Sequence, residues 1–293
     1  MLSAGVYAQH YPLNSQYMLN GLAINPAYAG SHEVFTTSLL YRNQWTGIDG
    51  APVTHTICGH APLKNKNIAV GAIIFSDRIG VTRQNGIYTD YAYRISFPRG
   101  KLSLGLKAGI NILHSKWDDI ETIEPNDEQF MCSSDIHVIP NFGTGLYFYC
   151  DKYFAGLSIP LLLSYSTDTD KDILKVYHDL KNYNIHFHSG IKVRINNTTN
   201  IMPSLLFKYL PGSGSQLDIN CKAGYRDMFR GGFSYRTGDA FVILLEYQMN
   251  NRMLIGYAYD ITISELSRYN NGSHEIMLRY IFGFKIEASN PRF

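Results

Sequence analysis

Apolar residues recur with a period of two along almost the whole chain, in runs longer than most soluble strands. In residues 181–197, KNYNIHFHSGIKVRINN, Ile185, Phe187, Ile191, Val193 and Ile195 alternate with His186, His188, Lys192 and Arg194. In KLSLGLKAGINI, Leu102, Leu104, Leu106, Ala108, Ile110 and Ile112 oppose Lys101, Ser103, Gly105, Lys107, Gly109 and Asn111. A period of two puts one set on each face of a β-strand. It predicts about fourteen strands, at residues 34–45, 52–60, 68–78, 85–97, 101–118, 141–150, 153–161, 184–195, 199–210, 216–225, 228–236, 240–248, 253–260 and 274–286. Many reach the roughly 9–11 residues of a tilted membrane-spanning strand.

The connections alternate in length. FPRGK, CDK, NNTT, RD and NNR are short. Between them fall the longer stretches 118–140, 162–181 and 261–273. Short turns at one end and long loops at the other are the pattern of an outer-membrane barrel, with the short turns in the periplasm. The fold class expected is therefore all-β: a single transmembrane antiparallel β-barrel of the outer-membrane type. An even strand count places both termini in the periplasm.

Alternation alone does not say whether the apolar face meets a core or lipid. Three features favour lipid over a soluble barrel or sandwich. The polar faces carry small residues and charges of both signs, among them Lys107, Lys192, Arg194, Glu246, Arg252, Asp260, Glu275 and Arg279. Tyrosine and phenylalanine gather near strand ends, as in IYTDYAYRISF, LYFYCDKYF and GYAYD, where interfacial girdles lie. The last strand ends in alternating aromatics. Only 17% of residues are charged, below the roughly 25% of soluble domains. No run of about eighteen apolar residues offers a transmembrane helix.

In hydrocarbon every backbone polar group needs a partner, so such a sheet must close. Fourteen strands enclose more than their own side chains fill, leaving a channel or a plugged lumen. QYMLNGLAINPAYAGS precedes the first strand and is either the plug or a periplasmic tail. The chain divides into residues 1–8, read as a signal-peptide remnant with cleavage before Gln9, residues 9–33, the periplasmic or plug segment, and residues 34–293, the barrel. Residues 1–8 lack the charged and long apolar parts of a full signal, so a frayed terminus is the alternative.

No catalytic, metal or cofactor constellation stands out. Cys58, Cys132, Cys150 and Cys221 are widely spaced, with free buried thiols expected and a Cys132–Cys150 bridge as the alternative. His55 faces away from Cys58 and His60 in a strand. Asp168, Asp170 and Asp172 alternate as in calcium loops, but Ile173 stands where the loop glycine belongs. PGSGS at Pro211 lacks the lysine of a phosphate loop and reads as a flexible turn. Asp77 with Arg78, and Glu246 with Arg279, are candidate lumen ion pairs. A net charge of +2 gives no case for nucleic acid.

Particular words in the chain carry a resemblance. INPAYAGS followed by SLLYRNQWTGIDGAPVTHTICGHAPL resembles the opening of the PorP/SprF family of type IX secretion outer-membrane proteins. So do NFGTGLYFYCDKYFAGLSIPLLL, SYRTGDAFVILLEYQ and IGYAYDITISELSRYNNGSHEIMLRYIF. The resemblance runs from about Tyr17 to the end. It implies a non-enzymatic barrel tied to type IX secretion and gliding, without a cofactor. The implied partners are periplasmic ring lipoproteins or a secreted cell-surface adhesin, together with outer-membrane lipid. No small-molecule substrate is implied.

Candidate partner-binding residues lie in motifs that folding explains poorly. Asn25, Pro26 and Tyr28 fall in the plug or tail segment. Arg42, Gln44 and Trp45 end the first strand, and Asp49-Gly50 follows. Arg236, Gly238 and Asp239 make another outer turn. Ser267, Tyr269, Asn270 and Gly272 fall in the last outer loop. The glycine pairs are also ordinary tight-turn chemistry. A porin or hydrophobic-solute channel is the rival class.

Overall fold

β1 (Phe35–Asn43), β2 (Val53–Pro62), β3 (Ile68–Ile79), β4 (Thr82–Phe97) and β5 (Gly100–Ser115) begin an unbroken antiparallel meander. It continues through β6 (His137–Tyr149) and β7 (Tyr153–Ile159). After a separate small hairpin of β8 (Ser164–Asp168) and β9 (Ile173–Tyr177) come β10 (Ile185–Ile191) and β11 (Val193–Arg194). The run ends with β12 (Thr199–Leu210), β13 (Gly214–Tyr225), β14 (Phe229–Arg236), β15 (Ala240–Gln248), β16 (Met253–Thr262) and β17 (Ser273–Phe282). This computed structural model describes residues 14–64, 66–116, 136–168, 173–177, 183–210 and 214–283.

β1 pairs with β17, and β10 pairs with both β7 and β12, so the sheet closes. β10 and β11 both pair with β12 and occupy one position in the wall. The result is a closed barrel of fourteen strands. Pro203 of β12 falls between the two paired stretches and has no N–H to give. No helix among the described residues is long and apolar enough to cross a membrane; the crossing elements are strands.

The expected strands are present, and β12 and β15 span the expected residues. β4 and β6 begin earlier than the alternation suggested, at Thr82 and His137. β5 ends at Ser115, and residues 117–118 lie outside the described residues, as do 284–286. The β8–β9 hairpin was not expected. It falls within the stretch read as a loop, and its strands are too short to carry a clear period. Of the three aspartates there, Asp170 and Asp172 lie outside the described residues, as does the first part of PGSGS.

The apolar face points outward. Leu106, Ile219, Phe229, Phe233 and Leu245 are exposed on the barrel wall. Their sequence neighbours Lys107, Asn220, Arg230, Ser234 and Glu246 are buried inside. A globular core turned inside out is what hydrocarbon surroundings and a polar lumen require. Two details depart from the expectations. Arg194 is exposed near a short turn. Asp77 is buried while Arg78 is exposed: adjacent residues of a strand face opposite ways, so they make no lumen pair. Cys58, Cys150 and Cys221 are free thiols. Cys58 faces the lumen, but Cys221 is exposed on the outer face, contrary to the expected burial. Cys132 lies outside the described residues.

All turns at the end where β1 begins and β17 finishes are short: residues 63–67, 98–99, 150–152, 195–198, 226–228 and 249–252. The other end carries the long connections 44–52, 116–136, 160–184 and 263–272, beside the short ones 80–81, 211–213 and 237–239. Residues 14–33 lie inside this frame. They include a short helix, Gly21–Ile24, and a 3-10 turn, Pro26–Tyr28, and are almost wholly buried. Leu22, Ala27 and Ala29 are fully covered. The segment begins beside Asp260 and Glu275, next to the long loop 263–272. It finishes at Glu33, beside Arg94 of β4 and Lys101 of β5. It therefore runs the length of the lumen. Asn14 stands at the opposite end of the barrel from the start of β1.

Candidate functional site

The lumen is a set of charged clusters joined by residues 14–33. At the long-loop end, Arg42 of β1 donates from Nη2 to Asp260 Oδ2 of β16 at 2.7 Å. Its Nη1 donates to Glu275 Oε2 of β17 at 3.0 Å. Arg236 of β14 approaches the same Asp260 oxygen at 3.4 Å, and binds Asp218 Oδ2 at 3.3 Å and Asp239 Oδ2 at 3.1 Å. Lys208 also reaches Asp218, at 3.3 Å. Apart from Asp239, which lies in the turn after β14, these are strand positions whose alternation points them inward, and their interleaved signs offset the cost of burial.

The first residues of the inner segment enter this cluster. The backbone N–H groups of Ser15 and Gln16 donate to the two oxygens of Glu275, each at 2.8 Å. The Ser15 hydroxyl donates to Asp260 Oδ2 at 2.7 Å. It accepts from Arg42 Nη1 at 2.9 Å and from Arg236 Nη2 at 3.0 Å. One serine thus connects two arginines and an aspartate from three strands.

Below this point the wall is shaped to the segment. The Cys58 thiol donates to Asn20 Oδ1 at 3.1 Å. Asn25 caps the 3-10 turn by accepting from the Ala27 N–H at 2.9 Å, and its amide donates to the Leu146 carbonyl at 2.8 Å. Pro26 occupies the first position of that turn, where no N–H is needed. Gly105 and Gly145 have no side chain where Ala27 and Asn25 press against the wall; a Cβ at either would overlap them. Tyr28 packs edge-on against His32 and His60, with ring centroids 5.7 and 5.5 Å apart. At the short-turn end, Glu33 takes Arg94 at 3.0 Å and Lys101 at 2.6 Å.

Glu246 binds Lys222 at 2.6 Å and Arg230 at 3.1 Å, a further lumen cluster. His55 faces outward while Cys58 and His60 face the lumen. Among the described residues no group of histidines, cysteines and carboxylates could hold a metal ion.

The structure divides the residues singled out in the sequence into three places. Arg42, Arg236 and Asp239 meet in the buried cluster at the long-loop end. Gln44, Trp45 and Asp49 lie in the adjoining loop, which is tied to the last loop. Thr46 N–H donates to the Gly272 carbonyl at 2.8 Å, and Trp45 N–H to the Ser273 hydroxyl at 3.0 Å. In that last loop Ser267 and Tyr269 are exposed, while Asn270 accepts from Thr262 and from the Gly272 N–H. Asn25, Pro26 and Tyr28 are elsewhere, buried in the lower lumen. Ser15, Asp218, Asp260 and Glu275 were not among the candidates. The three carboxylates have as their sequence signal an inward parity near a strand end; Ser15, in no strand, has none.

A closed antiparallel sheet, apolar outside and ionic within, defines an outer-membrane β-barrel protein. Residues 6–280 match the family described as type IX secretion system membrane protein PorP/SprF, and the chain belongs to that family. No curated protein matches the sequence significantly. Solved structures share the fold. A TodX monoaromatic hydrocarbon channel mutant aligns with a TM-score of 0.56 at 10% identity, covering 94% of this chain and 95% of that one. The CymD monoaromatic hydrocarbon channel gives 0.51 at 11%, covering 94% of each. The Acinetobacter baumannii outer membrane protein Omp33 gives 0.50 at 8%, covering 86% of this chain and all of the other.

Proposed function

We propose that the protein is a non-enzymatic outer-membrane component of the type IX secretion and gliding apparatus. It binds a protein partner, either a periplasmic ring lipoprotein or a secreted adhesin, and holds it at the membrane. The long-loop end faces the cell exterior, and the ends of the barrel proper face the periplasm, in keeping with the distribution of turn lengths. Residues 14–33 act as a plug. The observation that carries this reading is the burial of that segment along the lumen of a barrel of this family.

A porin or hydrophobic-solute channel is the second reading. It is supported by a fold shared with hydrocarbon channels at 10–11% identity, and it sits poorly with a filled lumen. The docking surface we favour is the outer rim built from Gln44, Trp45, Asp49, Ser267, Tyr269 and Asn270.

The test is a pull-down from gently solubilised outer membranes with mass spectrometry of what co-purifies. Ring lipoproteins or a large adhesin support the reading and distinguish its two forms. Neither, together with ion conductance by the purified full chain, overturns it in favour of a channel. In a Trp45→Ala, Asp49→Ala double variant, unchanged capture with intact folding removes the rim as the docking surface.

A further inference from the structure

The segment in the lumen has unlike ends. At the end nearest β1 it is covalently tethered, since Glu33 is separated from Phe35 by one residue. Glu33 is pinned there by Arg94 and Lys101, and the Gly30 carbonyl accepts from Arg94 at 2.6 Å. At the other end its described residues are held by polar contacts, chiefly those of Ser15 and Gln16 on the Arg42–Asp260–Glu275–Arg236 cluster, with the Tyr17 hydroxyl accepting from Asn220 just below.

Every member of that cluster is close in sequence to an outer connection. Arg42 precedes the loop 44–52, Arg236 precedes the turn 237–239, and Asp260 and Glu275 flank the loop 263–272. A shift of these loops reaches the Ser15 contacts through two or three residues of strand. The contacts are polar, and water replaces them readily once it enters the outer mouth. The tether at the far end fixes the direction of escape: a segment anchored at Val34 can leave the lumen only toward the side where β1 starts.

We infer that residues 14–33 form a strap, hinged at the periplasmic end and latched at the outer mouth, so that displacement of the outer loops frees the strap into the periplasm. The inference rests on the plug reading above and adds to it a latch, a hinge and a direction. Such a strap converts an event at the cell surface into exposure of a peptide on the periplasmic side.

A native reporter lies beneath the strap. Cys58 is buried in the lumen wall, with its thiol on Asn20. The experiment uses the full chain in proteoliposomes, with Cys132, Cys150 and Cys221 changed to serine. The rate at which a membrane-impermeant maleimide modifies Cys58 is the readout. Ser15→Pro with Gln16→Pro removes both N–H donors and the hydroxyl while leaving the barrel wall intact. Expected is a rise of at least tenfold over the latched parent, approaching the rate in a deletion of residues 14–33. A rate in the proline variant equal to that of the parent, with the deletion fast, overturns the latch and leaves the plug standing. A deletion no faster than the parent overturns the plug reading and the latch with it. Reagent sealed on one side supplies the direction: modification of the proline variant only from the long-loop side contradicts escape toward the periplasm.

Discussion

Arg42 and Arg236 share one carboxylate oxygen, Asp260 Oδ2, at 2.7 and 3.4 Å, and one hydroxyl, that of Ser15. Two like charges meet because four carboxylates, Asp218, Asp239, Asp260 and Glu275, surround them. Asp260→Asn removes the charge common to both guanidinium groups. We expect a loss of about 3–5 kcal/mol in reversible urea unfolding from lipid vesicles, the usual cost of breaking a buried ion pair on one side. Ser15→Ala, which removes a hydrogen-bonding group and no charge, is expected to cost nearer 1 kcal/mol. Equal losses for the two would mean that the cluster is wet and its charges screened.

Gly105 lies against the backbone of Ala27. Gly105→Val puts side-chain atoms in that space and leaves the strand pairing of β5 with β4 and β6 unaltered. The barrel should fold and migrate as a heat-modifiable band on gels. The segment should be displaced, with Cys58 becoming reactive to a water-soluble thiol reagent. An unreactive Cys58 would show that the segment accommodates the new side chain in place.

The outward face makes a prediction of opposite chemistry. Phe233 is 66% exposed near the middle of β14 and is paired with Ile243 and Cys221. Phe233→Arg should destabilise the inserted barrel by about 2–4 kcal/mol, as an arginine near the bilayer midplane does. The same change in a soluble β protein would favour solubility. A neutral result in lipid would place this face against water.

The turn between β13 and β14 carries local strain. Arg226 and Asp227 both have φ of 52°, and Met228 N–H closes the turn on the Tyr225 carbonyl at 3.1 Å. Two central residues with positive φ make a turn that favours Asn-Gly. Asp227→Gly should raise stability by roughly 1 kcal/mol, since glycine adopts this conformation without the Cβ clash. The check is the same urea titration, with the slope unchanged.

Period and parity were legible in the residues. Leu106 beside Lys107, or Phe233 beside Ser234, states which side of the wall each occupies once the solvent of the apolar face is known. That solvent was inferred from the charges of the opposite face, and the exposed Leu106 and buried Lys107 agree with it. Parity also separated His55 from His60. It should have separated Asp77 from Arg78, which it places on opposite faces. The β8–β9 hairpin escaped because five-residue strands in a polar stretch give too little period to register.

The sequence by itself determined the strands of the barrel wall and the sign of each face, because these depend on neighbours one or two residues away. The tertiary structure decided the site. Arg42 meets Asp260 across 218 positions, and Ser15 meets Glu275 across 260. Those meetings depend on closure of β1 on β17, which no local pattern encodes. The position of residues 14–33 was decided in the same way. A segment that carries no Asp, Glu, Lys or Arg before Glu33 satisfies its own backbone equally well in a tail or in a lumen. It lies in the lumen because Gly105, Gly145, Asp260 and Glu275, brought together only by the closed barrel, leave the space and supply the partners that it fits.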